Sequence, residues 1–135
     1  MPSMDDLTLI IGNKNYSSWS LRPWLLLKQA GIPFVERYIP IRSEAWATQI
    51  PRLSPSGKVP ALHDGSLQIW DSLAICEYLA ERFPEKQLWP TDVAARTTAR
   101  SVSAEMAALG SCLPRHSHVP VRRTRDSRHC VRTCS

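Results

Sequence analysis

An α/β fold is the class this sequence predicts: a small mixed sheet with helices on its faces, in the order β-α-β-(α)-β-β-α. Three observations carry it. Short β-rich apolar runs alternate with capped helical patterns as far as Phe83. Asp64-Gly65 sits between two of those runs as a strong hairpin signal. A long helical stretch then follows a proline-bounded linker, which predicts the start of a second, all-helical domain.

The elements follow in chain order. Leu7-Thr8-Leu9-Ile10-Ile11, closed by Gly12-Asn13, has the length and flanks of a buried strand. Residues 21–31 form a helix, with Ser20 expected as N-cap, Pro23 in its first turn and Gly31 as its stop. Pro33 separates it from a second strand over residues 34–39, and a β-α-β order favours parallel pairing with a right-handed crossover. Residues 43–50 give a short, weakly specified helix, and Pro51 and Pro55 bracket a loop. Strands are expected over residues 59–63 and 67–70. In the helix of residues 72–83, Ile75, Tyr78, Leu79 and Arg82 recur at i, i+3, i+4 and i+7, and Pro84 ends it. Pro84 to Asp92 reads as an exposed linker. Residues 94–109 read as a helix with Ala95, Ala99, Val102, Met106 and Leu109 on one stripe, halted by Gly110. The domain boundaries expected are therefore 1–84, a linker 85–93, a helix 94–110 opening a truncated helical domain, and a disordered basic tail 111–135.

With 135 residues and 43% hydrophobic content, one domain with its own core is within reach and two full domains are not. The chain has no run approaching 18 apolar residues, which excludes a spanning helix. The acidic start Met1-Pro2-Ser3-Met4-Asp5-Asp6 lacks the basic-then-apolar order of a leader, so a cytoplasmic location is expected. The net charge of +5 suggests a nucleic-acid partner only until it is divided along the chain. Residues 1–113 carry eleven basic and eleven acidic side chains, whereas residues 114–135 set six arginines against Asp126 alone. The pI thus describes the tail, and no nucleic-acid or membrane partner is implied for the body.

Two short stretches carry the chemistry. Proline cannot donate a ladder hydrogen bond, so Val59-Pro60 at the entry to a strand suits a cis peptide that turns the preceding backbone outward, free to pair with a ligand. Asp71-Ser72 opens a helix, where unpaired N–H groups face an anion. Together they describe an edge that pairs with a peptide beside a pocket for its carboxylate.

On these residues the chain resembles the cytosolic glutathione transferases, especially the serine-type zeta-like and theta-like bacterial members. The resemblance covers about residues 7–109 and rests on Gly57-Lys58-Val59-Pro60-Ala61-Leu62 and Asp71-Ser72-Leu73-Ala74-Ile75, the latter continuing to Glu77-Tyr78-Leu79. It implies a thioredoxin-like N-terminal domain, with glutathione as co-substrate rather than a bound cofactor, no metal, and an electrophilic small molecule as the second substrate. Full-length members of such a family form homodimers. Val59 and Pro60 match the position whose backbone pairs with the cysteinyl unit. Asp71 and Ser72 match the pair that holds the γ-glutamyl end, and Lys58 a residue near the glycyl carboxylate. Tyr16-Ser17-Ser18-Trp19-Ser20-Leu21-Arg22 resembles the zeta-type Ser-Ser-Cys-x-x-Arg motif, with Trp19 in the cysteine's place. Ser17 is then the donor to the glutathione sulfur, with Ser18 second and Tyr16 the tyrosine-type alternative. A free thiol titrates near ~8.5, and each unit of lowering needs about 1.4 kcal/mol of thiolate stabilisation. One hydroxyl donor and the positive end of a helix supply that order of magnitude.

Conjugation of glutathione to an electrophile is the expected activity. The alternatives are cis–trans isomerisation like that of maleylacetoacetate isomerases, and glutathione binding without catalysis. A thiol–disulfide oxidoreductase on the same fold needs a reactive cysteine at the first helix, and no cysteine precedes Cys76. Cys76 reads as a small core hydrophobe, His63 as solvated, and the five tryptophans as core and interface anchors. Arg22 steadies either the helix start or the site. In the tail, Cys112, His116, His118, His129, Cys130 and Cys134 match no common zinc spacing, and no aromatic residue interleaves with the arginines. The abrupt loss of pattern after an intact helix is what out-of-frame reading of a GC-rich gene produces.

Overall fold

Strand β1 (Leu7–Ile11) is the centre of a four-stranded sheet in the order β2-β1-β3-β4. It pairs in parallel with β2 (Val35–Tyr38) and antiparallel with β3 (Ala61–Asp64), which pairs antiparallel with β4 (Leu67–Trp70). The computed structural model describes residues 7–15 and 17–112, of which 109–112 by backbone alone. Four helices complete the fold: α1 (Ser18–Ala30), α2 (Glu44–Leu53), α3 (Ser72–Arg82) and α4 (Val93–Cys112).

The period-2 alternation of β1 divides the core in two. Leu7, Leu9 and Ile11 point to one face, where Leu27 of α1 and Ile75 and Leu79 of α3 close over them. Ile10 points to the other face, against Ile39, Ala61 and Ile50 of α2. All of these side chains are essentially inaccessible to water, each leucine and isoleucine contributing about 1.5–3 kcal/mol through burial. The result is three layers: α1 and α3, the sheet, then α2.

Several boundaries differ from the sequence reading, each for a local reason. Helix α1 starts at Ser18 with Ser17 as its N-cap, because the Ser17 hydroxyl accepts the Ser20 N–H; Ser20 is not the cap. Pro23 consequently lies inside the helix, where it is buried. Helix α2 runs through Pro51 to Leu53 rather than stopping at residue 50, since Ile50 must reach the core and the Ser54 N–H closes the last turn on the Ile50 carbonyl. Strand β3 begins at Ala61, after the proline that has no N–H to give. His63 is not solvated but half-buried, with Nε2 2.7 Å from the Leu53 carbonyl at the end of α2. The β3–β4 turn contains Gly65 at φ +58, glycine at the first central position, as a type II′ turn demands.

The segment between α3 and α4 is not wholly exposed: Leu88 packs against the α1–α3 core and Trp89 is half-buried. Helix α4 is capped by Asp92, whose Oδ2 accepts the Ala95 N–H at 2.8 Å, and it passes through Gly110 rather than ending there. Among the described residues no helix is long and apolar enough to cross a membrane. The disordered tail expected over 111–135 does not begin at 111, since the backbone of residues 111 and 112 continues α4. The readings of Tyr16, of the side chains of the tail's cysteines and histidines, and of residues 113–135 as disordered, out-of-frame sequence lie outside the described residues.

Candidate glutathione site

The hairpin brings the two chemical stretches together. A two-residue turn places Asp64 opposite Leu67, and counting back along the ladder sets Ala61 opposite Trp70. Pro60 and Asp71 therefore leave the same end of the β3–β4 pair. The peptide bond between Val59 and Pro60 is cis. Asp71 takes φ +74, a conformation rare for a side chain other than glycine, and caps α3: its Oδ1 accepts the N–H of Leu73 at 2.9 Å and of Ala74 at 3.5 Å. That cap leaves the second carboxylate oxygen and the Ser72 N–H unclaimed by the helix.

The loop before Pro60 is held from within. Ser54, buried at the end of α2, donates its hydroxyl to the Lys58 carbonyl at 2.6 Å, and Ser56 accepts the Lys58 N–H. Ser17 arrives from the other side. Its N–H donates to Asn13 at 2.7 Å and its carbonyl accepts from Leu21, which fixes it at the mouth of α1.

These groups line a single open cavity of about 880 Å³: Ser17, Lys58, Val59, Pro60, Asp71 and Ser72 all face it. Ser18 does not; it is exposed on the first turn of α1. The N-terminal, positive ends of α1 and α3 both border the cavity, and Lys58 and Arg42 add cationic charge to the wall that also holds Asp71. A small zwitterion with spare carboxylates suits that charge pattern.

Sequence reasoning missed part of the lining. Trp19, Trp46 and Trp70 form much of the cavity wall, so three of the five tryptophans are wall residues rather than anchors alone. Trp70 was legible, since the turn at Gly65 fixes its register beside Asp71. Trp46 stands on α2, which is set by tertiary packing, and Arg42 reaches the wall through a left-handed turn at φ +63 that no glycine announces. Trp19 lies under the Arg22 guanidinium, 4.4 Å from the ring centre. Arg22 itself lines a second, smaller cavity of about 380 Å³ between α1, α3 and α4, with Cys76 and Trp89. Burial pushes the Cys76 thiol up to about 11, which keeps it protonated and unreactive.

A thioredoxin-like α/β domain with an open cavity at the mouths of α1 and α3 defines the class, and comparison with known proteins identifies the family. Residues 16–82 match the glutathione S-transferase N-terminal domain. This chain belongs to the glutathione S-transferases through that domain. It is 36% identical over 80 residues to a zeta-class glutathione S-transferase of Euphorbia esula, covering 57% of this chain and 35% of that protein. A probable maleylacetoacetate isomerase of Caenorhabditis elegans is 33% identical over 91 residues, covering 67% and 42%. Among solved structures, a glutathione S-transferase of the Antarctic clam Laternula elliptica superposes with TM-score 0.70 at 27% identity, over 80% of this chain and 49% of that one. A glutathione transferase homolog from Burkholderia, solved with bound glutathione, gives TM-score 0.62 at 27% identity, over 73% and 52%. The chain thus spans well under half the length of the two curated relatives.

Proposed function

We propose that this chain binds glutathione in the 880 Å³ cavity and activates its thiol for attack on an electrophilic small molecule in the cytoplasm. One observation carries the reading: Ser17, Val59-Pro60 and Asp71-Ser72, far apart in sequence, share that cavity at the positive ends of two helices. The Val59 backbone pairs with the cysteinyl unit, Asp71 and Ser72 hold the γ-glutamyl end, and Lys58 faces the glycyl carboxylate. The Ser17 hydroxyl donates to the sulfur; its place on the cavity wall supports it over the outward-facing Ser18. Chemically the nucleophile is glutathione's own thiolate, and the protein supplies a donor, a helix end and orientation. The relatives named as probable maleylacetoacetate isomerases favour a second outcome at the same site, reversible addition of that thiolate to a conjugated double bond.

Titration of the full chain with glutathione, followed by a conjugation assay on an activated aryl halide and an isomerisation assay on an unsaturated diacid, tests this. Ser17→Ala is expected to lower turnover at neutral pH at least ~10-fold while the bound thiol returns toward ~8.5. Binding without turnover on either substrate would leave a non-catalytic glutathione-binding protein, and no binding at all would end the proposal.

A further inference from the structure

Behind Ser17 stands a second hydroxyl that the glutathione reading does not use. Ser20 is completely buried and has no face on the cavity. Its Oγ accepts the Gly12 N–H at 3.2 Å and lies 3.0 Å from Ser17 Oγ, while its own N–H reaches back to Ser17 Oγ at 3.3 Å. In the ligand-free arrangement Ser17 donates to Ser20, so the proton proposed to meet the sulfur points inward.

We infer that Ser20 is a positioning residue for Ser17, its hydroxyl reversing that bond so that the Ser17 proton turns into the cavity when a thiolate occupies it. The inference rests on the glutathione reading. A serine hydroxyl offers one proton and two acceptor sites. With Ser20 donating, Ser17 Oγ accepts from both the hydroxyl and the N–H of Ser20, which fills its acceptor sites and leaves its single proton for the sulfur. Ser20 in turn keeps the Gly12 N–H on one of its own acceptor sites. The 3.0 Å separation already lies within hydrogen-bonding range, and Ser20 takes up the donating direction by a small turn of its side chain. No proton passes between oxygens; two O–H bonds rotate. The chain then reads Gly12 N–H to Ser20 O–H to Ser17 O–H to sulfur, each donor polarised by the one behind it. A thiolate can only accept, so its arrival selects this direction. Ser20 touches no ligand atom and acts through Ser17 alone.

The test is the titration of the bound thiol, followed by the ultraviolet absorption of the thiolate in the full chain saturated with glutathione. Ser20→Ala is expected to raise the bound thiol's pKa by about one unit, the scale of one weakened charge-assisted hydrogen bond, with glutathione affinity below pH 6 unchanged. In a Ser17→Ala background the same change is expected to add nothing, because the route to the sulfur is already cut. Ser20→Cys, near in size and a weaker donor, should fall between wild type and Ser20→Ala, and it carries the test if the alanine variant does not fold. An unmoved pKa in the Ser20 variants, or an equal shift with and without Ser17, overturns the inference and leaves the glutathione site standing. A wild-type chain that does not bind glutathione overturns both.

Discussion

Asp71 is where two demands meet in one side chain. Its carboxylate caps α3 through Leu73 and Ala74, and its backbone sits at φ +74 to do so. A residue held in a sparsely populated conformation at a cavity rim is a common mark of function, because packing alone would not select it. The two roles separate in Asp71→Asn. Asparagine matches aspartate in shape, so it meets the same φ +74, ψ 132 backbone at no added cost and keeps a capping oxygen, and thermal unfolding should change by under ~1 kcal/mol. Loss of the negative charge beside the proposed γ-glutamyl ammonium should weaken glutathione binding about tenfold, read by calorimetric titration. A large stability loss with unchanged binding would make Asp71 a cap and nothing more. At this scale the sequence spoke clearly for residues fixed by the backbone: Pro60 at a strand entry, Asp71 at a helix entry. Trp46 and Arg42 owe their places to how α2 and its preceding turn pack, and no spacing rule anticipates that.

Between elements, one half-buried cluster ties the β3–β4 hairpin to α3. Asp64 Oδ2 accepts the Tyr78 hydroxyl at 2.6 Å and the Arg82 Nε at 3.1 Å, and its side chain is only 7% exposed. The Tyr78 hydrogen bond, seconded by Arg82, holds the Asp64 carboxyl below its ordinary range despite the opposing pull of burial. A depressed folded value means stability that is fully present above the unfolded carboxyl's ~3.9 and is lost as pH falls through the folded value. Tyr78→Phe should therefore destabilise by about 1–2 kcal/mol at pH 7, with the gap to wild type narrowing below pH ~4 in urea unfolding. A gap constant from pH 7 to pH 3 would locate the effect in packing instead. The elements themselves were largely legible, because β1 alternates cleanly and Gly31 at φ +65 stops α1 where expected. The misreadings share a cause. Pro23, Pro51 and Gly110 are local breakers inside helices that carry on through them. In α1 and α2 the buried faces of Leu27 and Ile50 outweigh one missing N–H.

Across the whole molecule, stability is unevenly shared, and α4 is its weak end. The sheet, α1 and α3 enclose a core of wholly buried aliphatic side chains. Helix α4 instead leaves Val93, Val102 and Met106 more than half exposed, at 66%, 54% and 51%. Its ties to the body include the Arg100–Glu77 pair at 3.2 Å and the Arg100 guanidinium 5.7 Å from the centre of the Trp89 ring. Both Arg100 and Glu77 are substantially exposed, and such a pair contributes little, about 0–1 kcal/mol. Within the helix, Thr97, Thr98, Ser101 and Ser103 each donate a hydroxyl to the carbonyl four residues back, a contact that slightly loosens a helix. A helix short of tertiary burial rests on its own propensity, which the threonines, serines and valines of α4 keep low. Amide exchange of the full chain should therefore separate two populations: β1, β3 and α3 exchanging only through global unfolding, and α4 exchanging at least ~100-fold faster through local opening. Arg100→Ala should speed α4 further while leaving β1 unchanged. Equal protection of α4 and α3 would mean that the buried body and this helix unfold as one unit, and that the half-exposed Val102 and Met106 are covered in solution.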